Sequence, residues 1–190
     1  FVQIQLNYFD WLYGTAKEEY EILKELNIPV MVMEPIRGGR LSQLSNEAEA
    51  ILKTAKPEWS ISSWALRWVM SLDQVAVVLS GMTKPIHMED NLKTVETFTE
   101  LTEEEKNILM QACETHKKYL SIPCTGCRYC CDDCPVQINI PEVLGIYNKF
   151  KVEGLGELRA LKTIDSVGSP LDCIGCGMCE QGCYAGAKIV

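Results

Sequence analysis

Nine of the chain's ten cysteines fall between Cys124 and Cys183, in two dense runs, CTGCRYCCDDCP from Cys124 and CIGCGMCEQGC from Cys173. Thiols this close together can pair as disulfides, grip zinc, or hold iron with inorganic sulfide. Disulfides belong to oxidising compartments, and no charged segment followed by an apolar leader is visible that would carry the chain to one. Structural zinc is normally held by two well-separated pairs rather than by four thiols in one short loop. Iron with sulfide is the chemistry left standing.

Both runs contain the spacing C-x2-C-x2-C-x3-C, which matches the iron–sulfur ligation run of bacterial ferredoxins down to the last gap. Three cysteines two residues apart let one tight loop wrap a cubane and offer three sulfurs to three irons. The fourth is carried away by the turn and reaches the other cluster. The spacing therefore predicts two [4Fe–4S] clusters. Cys124, Cys127, Cys130 and Cys183 would hold one, and Cys173, Cys176, Cys179 and Cys134 the other. Gly126, Gly175 and Gly177 suit loops needing positive φ and close backbone approach, and Pro135 turns the chain after the first run. Tyr184 stands where a second such proline would be. Cys131 is a spare thiol read as a bystander, and Cys113 reads as a small buried hydrophobe on a helix.

The elements that must position these thiols follow from apolar patterning. FVQIQLNYF, IPVMVMEP and VAVVLSG read as strands, each followed by a helical pattern, which predicts a parallel sheet covered on both faces. Helices are expected around Tyr20, Leu23 and Leu26, and around Trp64 and Trp68, four residues apart on one face. Another opens at a capping box of Thr102 and Glu105 and presents Leu109, Ala112, His116 and Tyr119 as a stripe, leading through Ser121 to Pro123. Between the cysteine runs, a helix opening at Pro141 and a second one after a break at Glu153-Gly154 are expected. A net charge of −8 argues against nucleic acid and anionic membranes as partners, and no apolar run is long enough to span a bilayer. Phe1 opens in the middle of an apolar run, which reads as a cut edge and predicts upstream residues in the same protein.

The stretches FVQIQLNYFDW, IPVMVMEPIRGGRL, SSWALRWV and VAVVLSGMTKPIHMEDNL resemble the C-terminal half of an aldo/keto reductase, of the branch that carries a C-terminal ferredoxin domain. The resemblance implies a TIM (β/α)8 barrel whose last three βα units are residues 1–118, followed by a mainly helical ferredoxin-type domain over residues 119–190. By position it also implies nicotinamide-cofactor contacts. Gln3 would hold the carboxamide, Gly38 and Gly39 would pass the pyrophosphate, Gly81 would follow the last strand, and Asn91 would meet the adenine. Met33 stands where many relatives stack an aromatic ring, and His87 where an arginine often grips the 2′-phosphate, which argues against strong NADP preference. The family's catalytic Asp, Tyr, Lys and His all fall upstream of Phe1, so no catalytic residue is expected within the chain. Asp10 and Tyr13 read as turn and surface residues, and His87 and His116 as structural.

The function expected is an iron–sulfur oxidoreductase in the cytoplasm, its barrel handling NAD(P)H and its two clusters passing single electrons. The partner would be a redox protein or a small carbonyl substrate. The alternative is an electron-transfer or structural iron–sulfur module whose barrel portion is a non-catalytic scaffold. Three βα units cannot close a barrel. Exposed strand edges would then need the missing half, or another chain, to cover them.

Overall fold

Each of the three apolar stretches contains a strand in the computed structural model, which describes residues 1–120, 122–153, 155–183 and 186–189, and the first stretch ends in a helix, with Tyr8 and Phe9 inside it. Strands β1 (Val2–Gln5), β2 (Val30–Met33) and β3 (Val75–Val78) are all parallel, in the order β1-β2-β3. Val2 pairs with Val30 and Gln5 with Met33, and an irregularity after Val30 brings Met31 opposite Val77. Parallel neighbours need long crossovers. Helices α1 (Tyr8–Tyr13) and α2 (Ala16–Glu25) supply the first, α3 (Asn46–Ala55) and α4 (Ile61–Met70) the second, and α5 (Pro85–Glu96) and α6 (Glu103–Lys117) follow β3. The chain divides into two compact units, Phe1–His116 and Lys117–Val190.

Side chains start three helices of the first unit. Asn7 caps α1, its Oδ1 accepting from the backbone N–H groups of Phe9 and Asp10 at 3.1 and 2.9 Å. Ser60 caps α4 by accepting from Ser63 N–H at 2.9 Å. At α6 the capping box is reciprocal: Thr102 N–H donates to Glu105 Oε2 at 2.8 Å and Glu105 N–H to Thr102 Oγ1 at 3.2 Å. Trp64 and Trp68 are both buried, as are Leu109 and Ala112, whereas Tyr119 lies beyond the end of α6.

Only one face of the sheet is covered among the described residues. Ile4, Val30 and Val32 are buried, while the alternate positions Gln3, Met33, Val77 and Leu79 are exposed, the last three by 37%, 42% and 41%. The period of two in a strand separates these faces. The near-continuous apolar stretches pointed to cover on both sides, and the structure corrects that: the helices leave an apolar second face open. Strands β1 and β3 each pair on one side only, with β2.

The second unit is built on α7 (Tyr129–Asp132), α8 (Ile140–Glu153) and α9 (Met178–Gln181), with 3-10 segments at Leu155–Thr163 and Pro170–Asp172. Helix α8 opens at Ile140, one residue before Pro141, and the second expected helix takes the 3-10 form; the expected break at Gly154 lies outside the described residues, as does Ser121. Its small core gathers Cys130, Ile138, Ile140, Leu144 and Cys179. Two cysteines are thus part of the interior itself.

Candidate metal centre

The two cysteine loops adopt matching backbones. Gly126 and Gly175, the residues before the second cysteine of each run, have φ of 78° and 67°. Arg128 and Gly177, the residues after it, have φ of 70° and 73° and cap the short helices α7 and α9. Left-handed backbone at two of five positions folds each loop into a tight arc, and glycine reaches it without the clash that a Cβ brings. Helices α7 and α9 then carry Cys130 and Cys179 inward, where both are buried.

The loops meet around two cavities. One, partly open to solvent, is lined by Cys124, Cys127 and Cys130 of the first loop and by Cys183 of the second. The other is lined by Cys173, Cys176 and Cys179 together with Cys134 of the first loop. In both, three thiols from one run face the last thiol of the other run. Each of those last thiols accepts a backbone N–H four residues on: Ile138 N–H reaches Cys134 Sγ at 3.5 Å, and Ala187 N–H reaches Cys183 Sγ at 3.4 Å. Such donors favour the thiolate form that metal ligation requires.

All ten cysteines are thiols rather than disulfides. Burial pushes the Cys130 thiol up to about 12, helped by the neighbouring Cys131 and Cys124 sulfurs. Burial also raises Cys179. A bound cation reverses that preference, because a coordinating thiol gives up its proton to the metal. Among the described residues, no three Cys, His or carboxylate groups converge tightly enough to hold one metal ion. Cubane ligation asks for something else, since each sulfur bonds its own iron on a separate corner. The donor set, soft thiols in two shared cavities, fits [4Fe–4S] clusters.

Distant residues hold the loops in place. Asn148 on α8 clamps the segment leading to Cys124: its Oδ1 accepts from Ile122 N–H at 2.8 Å, and its Nδ2 donates to Ile122 carbonyl oxygen at 2.9 Å. Buried Asn139 donates from its own N–H to Ser166 Oγ at 2.8 Å and from Nδ2 to Glu142 Oε2 at 2.8 Å. These amides satisfy the polar groups that a small interior strands. Cys131 packs against the same core, and Cys113 is buried on α6. The chain exit at Tyr184 lies outside the described residues.

The residues named as nicotinamide contacts sit on β1 or beyond the C-terminal ends of β2 and β3. Exposed Gln3 on β1 donates from Nε2 to Met33 Sδ on β2 at 3.2 Å. Gly38 and Gly39, at φ 62° and 85°, shape the turn after β2. A Cβ added at Gly81, after β3, would meet nothing within 4 Å. Asn91 on α5 donates from Nδ2 to Ser80 Oγ at 2.9 Å, tying that helix to the loop beside Gly81. His87 is exposed on α5.

Asp10 departs from the surface role expected of it. Its Oδ1 accepts from Arg37 Nε at 2.9 Å, and its Oδ2 accepts from Gln5 and Asn7 at 2.7 and 2.8 Å. The side chains of Arg37 and Asp10 are only 5% and 14% exposed, and the guanidinium lies 4.3 Å from the Phe9 ring centroid. This polar knot was invisible in sequence because its partners are 27 residues apart. His116 is structural, its Nδ1 accepting from Ser45 N–H at 3.0 Å. Burial and the Arg37 charge lower its pKa to about 4.

Fold and site define a parallel α/β unit joined to a small thiol-lined metal domain. An aldo/keto reductase family model matches residues 1–114, and a 4Fe-4S dicluster domain model matches residues 123–188. The chain belongs to the aldo/keto reductase family and carries an iron–sulfur domain after its reductase part. Among solved structures it is similar to aldo-keto reductase AKR11C1 from Bacillus halodurans in its holo form, at 23% identity and a TM-score of 0.46 over 58% of this chain. The match spans 41% of that reductase. No curated protein matches the chain.

Proposed function

We propose that this chain belongs to an iron–sulfur oxidoreductase of the aldo/keto reductase type, in which residues 119–190 hold two [4Fe–4S] clusters. One is bound by Cys124, Cys127, Cys130 and Cys183, the other by Cys173, Cys176, Cys179 and Cys134. The observation that carries this reading is the crossed lining of the two cavities, three thiols of one loop opposite the fourth of the other. When bound, such clusters supply one-electron transfer. The chain's own groups do the holding: thiolates ligate, and the Ile138 and Ala187 amides steady the exchanged sulfurs.

Residues 1–118 would be the last three βα units of a (β/α)8 barrel. Consecutive parallel strands in sequence order, with helices on one face and apolar side chains open on the other, are what a segment of barrel wall presents. Further strands of the same protein would cover β1, β3 and the open face, and a second chain is the other way to cover them. Gln3, Gly38, Gly39, Gly81 and Asn91 would meet NAD(P)H at the mouth, where barrel active sites lie. A redox protein or a small carbonyl compound would be the electron partner, in the reducing cytoplasm that keeps thiols available.

Anaerobic purification tests the metal reading: a brown protein with about eight irons per chain is expected. Stoichiometric zinc and a colourless sample would sink it. Cys134→Ala and Cys183→Ala should each disturb a different cluster, and two unaltered paramagnetic spectra would rule out the exchange. Reduction of the clusters by NADPH supports the reductase. Failure of that reduction in iron-replete protein favours the alternative, a scaffold barrel carrying an electron-transfer module.

A further inference from the structure

The two cysteine loops are near-copies, so the positions where they differ are informative. At the residue after the second cysteine, the second loop has Gly177 and the first has Arg128, with φ of 73° and 70°. Left-handed backbone is open to glycine, whereas a residue with a Cβ adopts it only against a steric clash. Arginine therefore stands where the backbone suits glycine. Arg128 is one of the residues lining the cavity of Cys124, Cys127, Cys130 and Cys183, and among the described residues it is the only charged residue lining either cavity. Arg128 Nη1 lies 3.4 Å from Asn139 Oδ1, a buried amide that is itself fixed by Ser166 and Glu142. The other cavity is walled by cysteines, prolines and aliphatic side chains alone.

Resting on the two-cluster reading above, we propose that Arg128 sets the order of reduction, making the cluster bound by Cys124, Cys127, Cys130 and Cys183 the first to accept an electron. Four thiolates leave such a cluster net negative, and an added electron makes it more so. Its potential therefore answers to nearby charge, hydrogen bonds and exposure. A positive charge carried on the ligating loop favours the reduced form, and an apolar surround without one disfavours it. The amide bonds to Cys134 and Cys183 match at 3.5 and 3.4 Å, and two acids adjoin each loop in sequence, Asp132 and Asp133 on one and Asp172 and Glu180 on the other. Arg128 is exposed, so water and salt screen its charge and the effect is modest. The Asp133 carboxylate lies against Gly182 of the first cavity and opposes Arg128 there, which limits the effect further.

A mediated potentiometric titration of the iron-loaded protein, followed by electron paramagnetic resonance, reads the two midpoints. Wild type should reduce in two resolved one-electron steps. Arg128→Gln should lower the higher midpoint and leave the lower one. That changes the ratio of the two reduced populations at fixed potential by about tenfold, about 59 mV for one electron. Arg128→Lys should keep the wild-type spacing, and raising the salt concentration should narrow it. An unmoved higher midpoint in Arg128→Gln, equal displacement of both, or a spacing indifferent to salt overturns the proposal. About eight irons with unmoved midpoints refutes the role of Arg128 alone, whereas a single cluster signal with half the iron refutes the two-cluster reading as well.

Discussion

Residues 1–116 and 117–190 are held together by different physics. Among the described residues, every large side chain that is wholly buried, from Leu6 and Tyr8 to Trp64 and Leu109, lies in the first unit. The buried apolar set of the second is Cys130, Ile138, Ile140, Leu144, Ile146, Cys179 and Ala187, and two of these are proposed ligands. A domain of this size rarely stands on so small a core without disulfides or metal. Charge divides as sharply. The first unit carries ten Lys and Arg against eighteen Asp and Glu, the whole net −8, while the second balances eight against eight. One unit is a packed sheet with its helices, and the other rests on a few apolar side chains gathered around its thiols.

Removing iron should break that contrast most forcefully. Metal ligation in small domains supplies on the order of 10 kcal/mol of folding free energy. Ferricyanide and EDTA should therefore unfold residues 117–190 and leave the first unit standing. All four tryptophans, Trp11, Trp59, Trp64 and Trp68, lie in the first unit, so their fluorescence reports on it alone. Visible absorption reports on the second. Loss of absorption and helical circular dichroism with an unshifted tryptophan spectrum is expected. Loss of both together would mean that the packed unit leans on the metal as well.

Next in size is Asp10→Ala. It strips Arg37 of its buried carboxylate and removes the acceptor shared by Gln5 and Asn7. Breaking a buried pair from one side costs roughly 3–5 kcal/mol. The urea midpoint read by tryptophan fluorescence should fall accordingly, with iron content and visible absorption unchanged. A midpoint within error of wild type would return Asp10 to the surface role that its sequence neighbourhood suggested.

What could be read in the sequence follows the same division. Cysteine spacing is legible because the pattern within each run is local: five thiols and two left-handed residues fit inside the eleven residues from Cys124 to Cys134. Strands, the Thr102–Glu105 box and the buried Trp64 and Trp68 were legible because their signals are local too. The Asn148–Ile122 clamp and the Asp10–Arg37 knot, joining residues 26 and 27 apart, were not. Nor was the open sheet face. An aliphatic run such as VMVM looks the same whether a helix or a further strand covers it. Arg128 was hidden for a subtler reason: only its twin, Gly177, shows what backbone the position adopts.

A third prediction uses pH on the first unit alone. His116 titrates near 4 in the folded chain because burial and Arg37 disfavour its cation, against an ordinary value of 6.5 unfolded. Between those values the unfolded chain binds more protons, so stability rises with pH. The contribution is fully present above about 6.5 and is lost progressively as pH falls to about 4, by up to about 3 kcal/mol. Carboxylates titrate in the lower part of that window, so the informative quantity is the difference from His116→Gln, which keeps an acceptor for Ser45 N–H without a titrating ring. The variant should lose that slope in tryptophan-detected urea midpoints. Equal slopes would show that His116 is solvated when folded.

The smallest effect tests how local the first unit's stability is. Thr102→Ala removes the hydroxyl that accepts from Glu105 N–H, and leaves Glu105 free to keep its bonds to Thr102 N–H and, through Oε1, to Lys56 Nζ at 2.9 Å. Loss of a capping hydroxyl costs about 1 kcal/mol. Helix α6 runs from this cap to Lys117, at the junction of the two units. If the units are energetically separate, the tryptophan-detected midpoint falls by that amount while the rate at which EDTA bleaches the visible band does not change. If bleaching accelerates in parallel, fraying at the start of α6 is felt at its end, and the metal-held unit depends on the packed one through that helix.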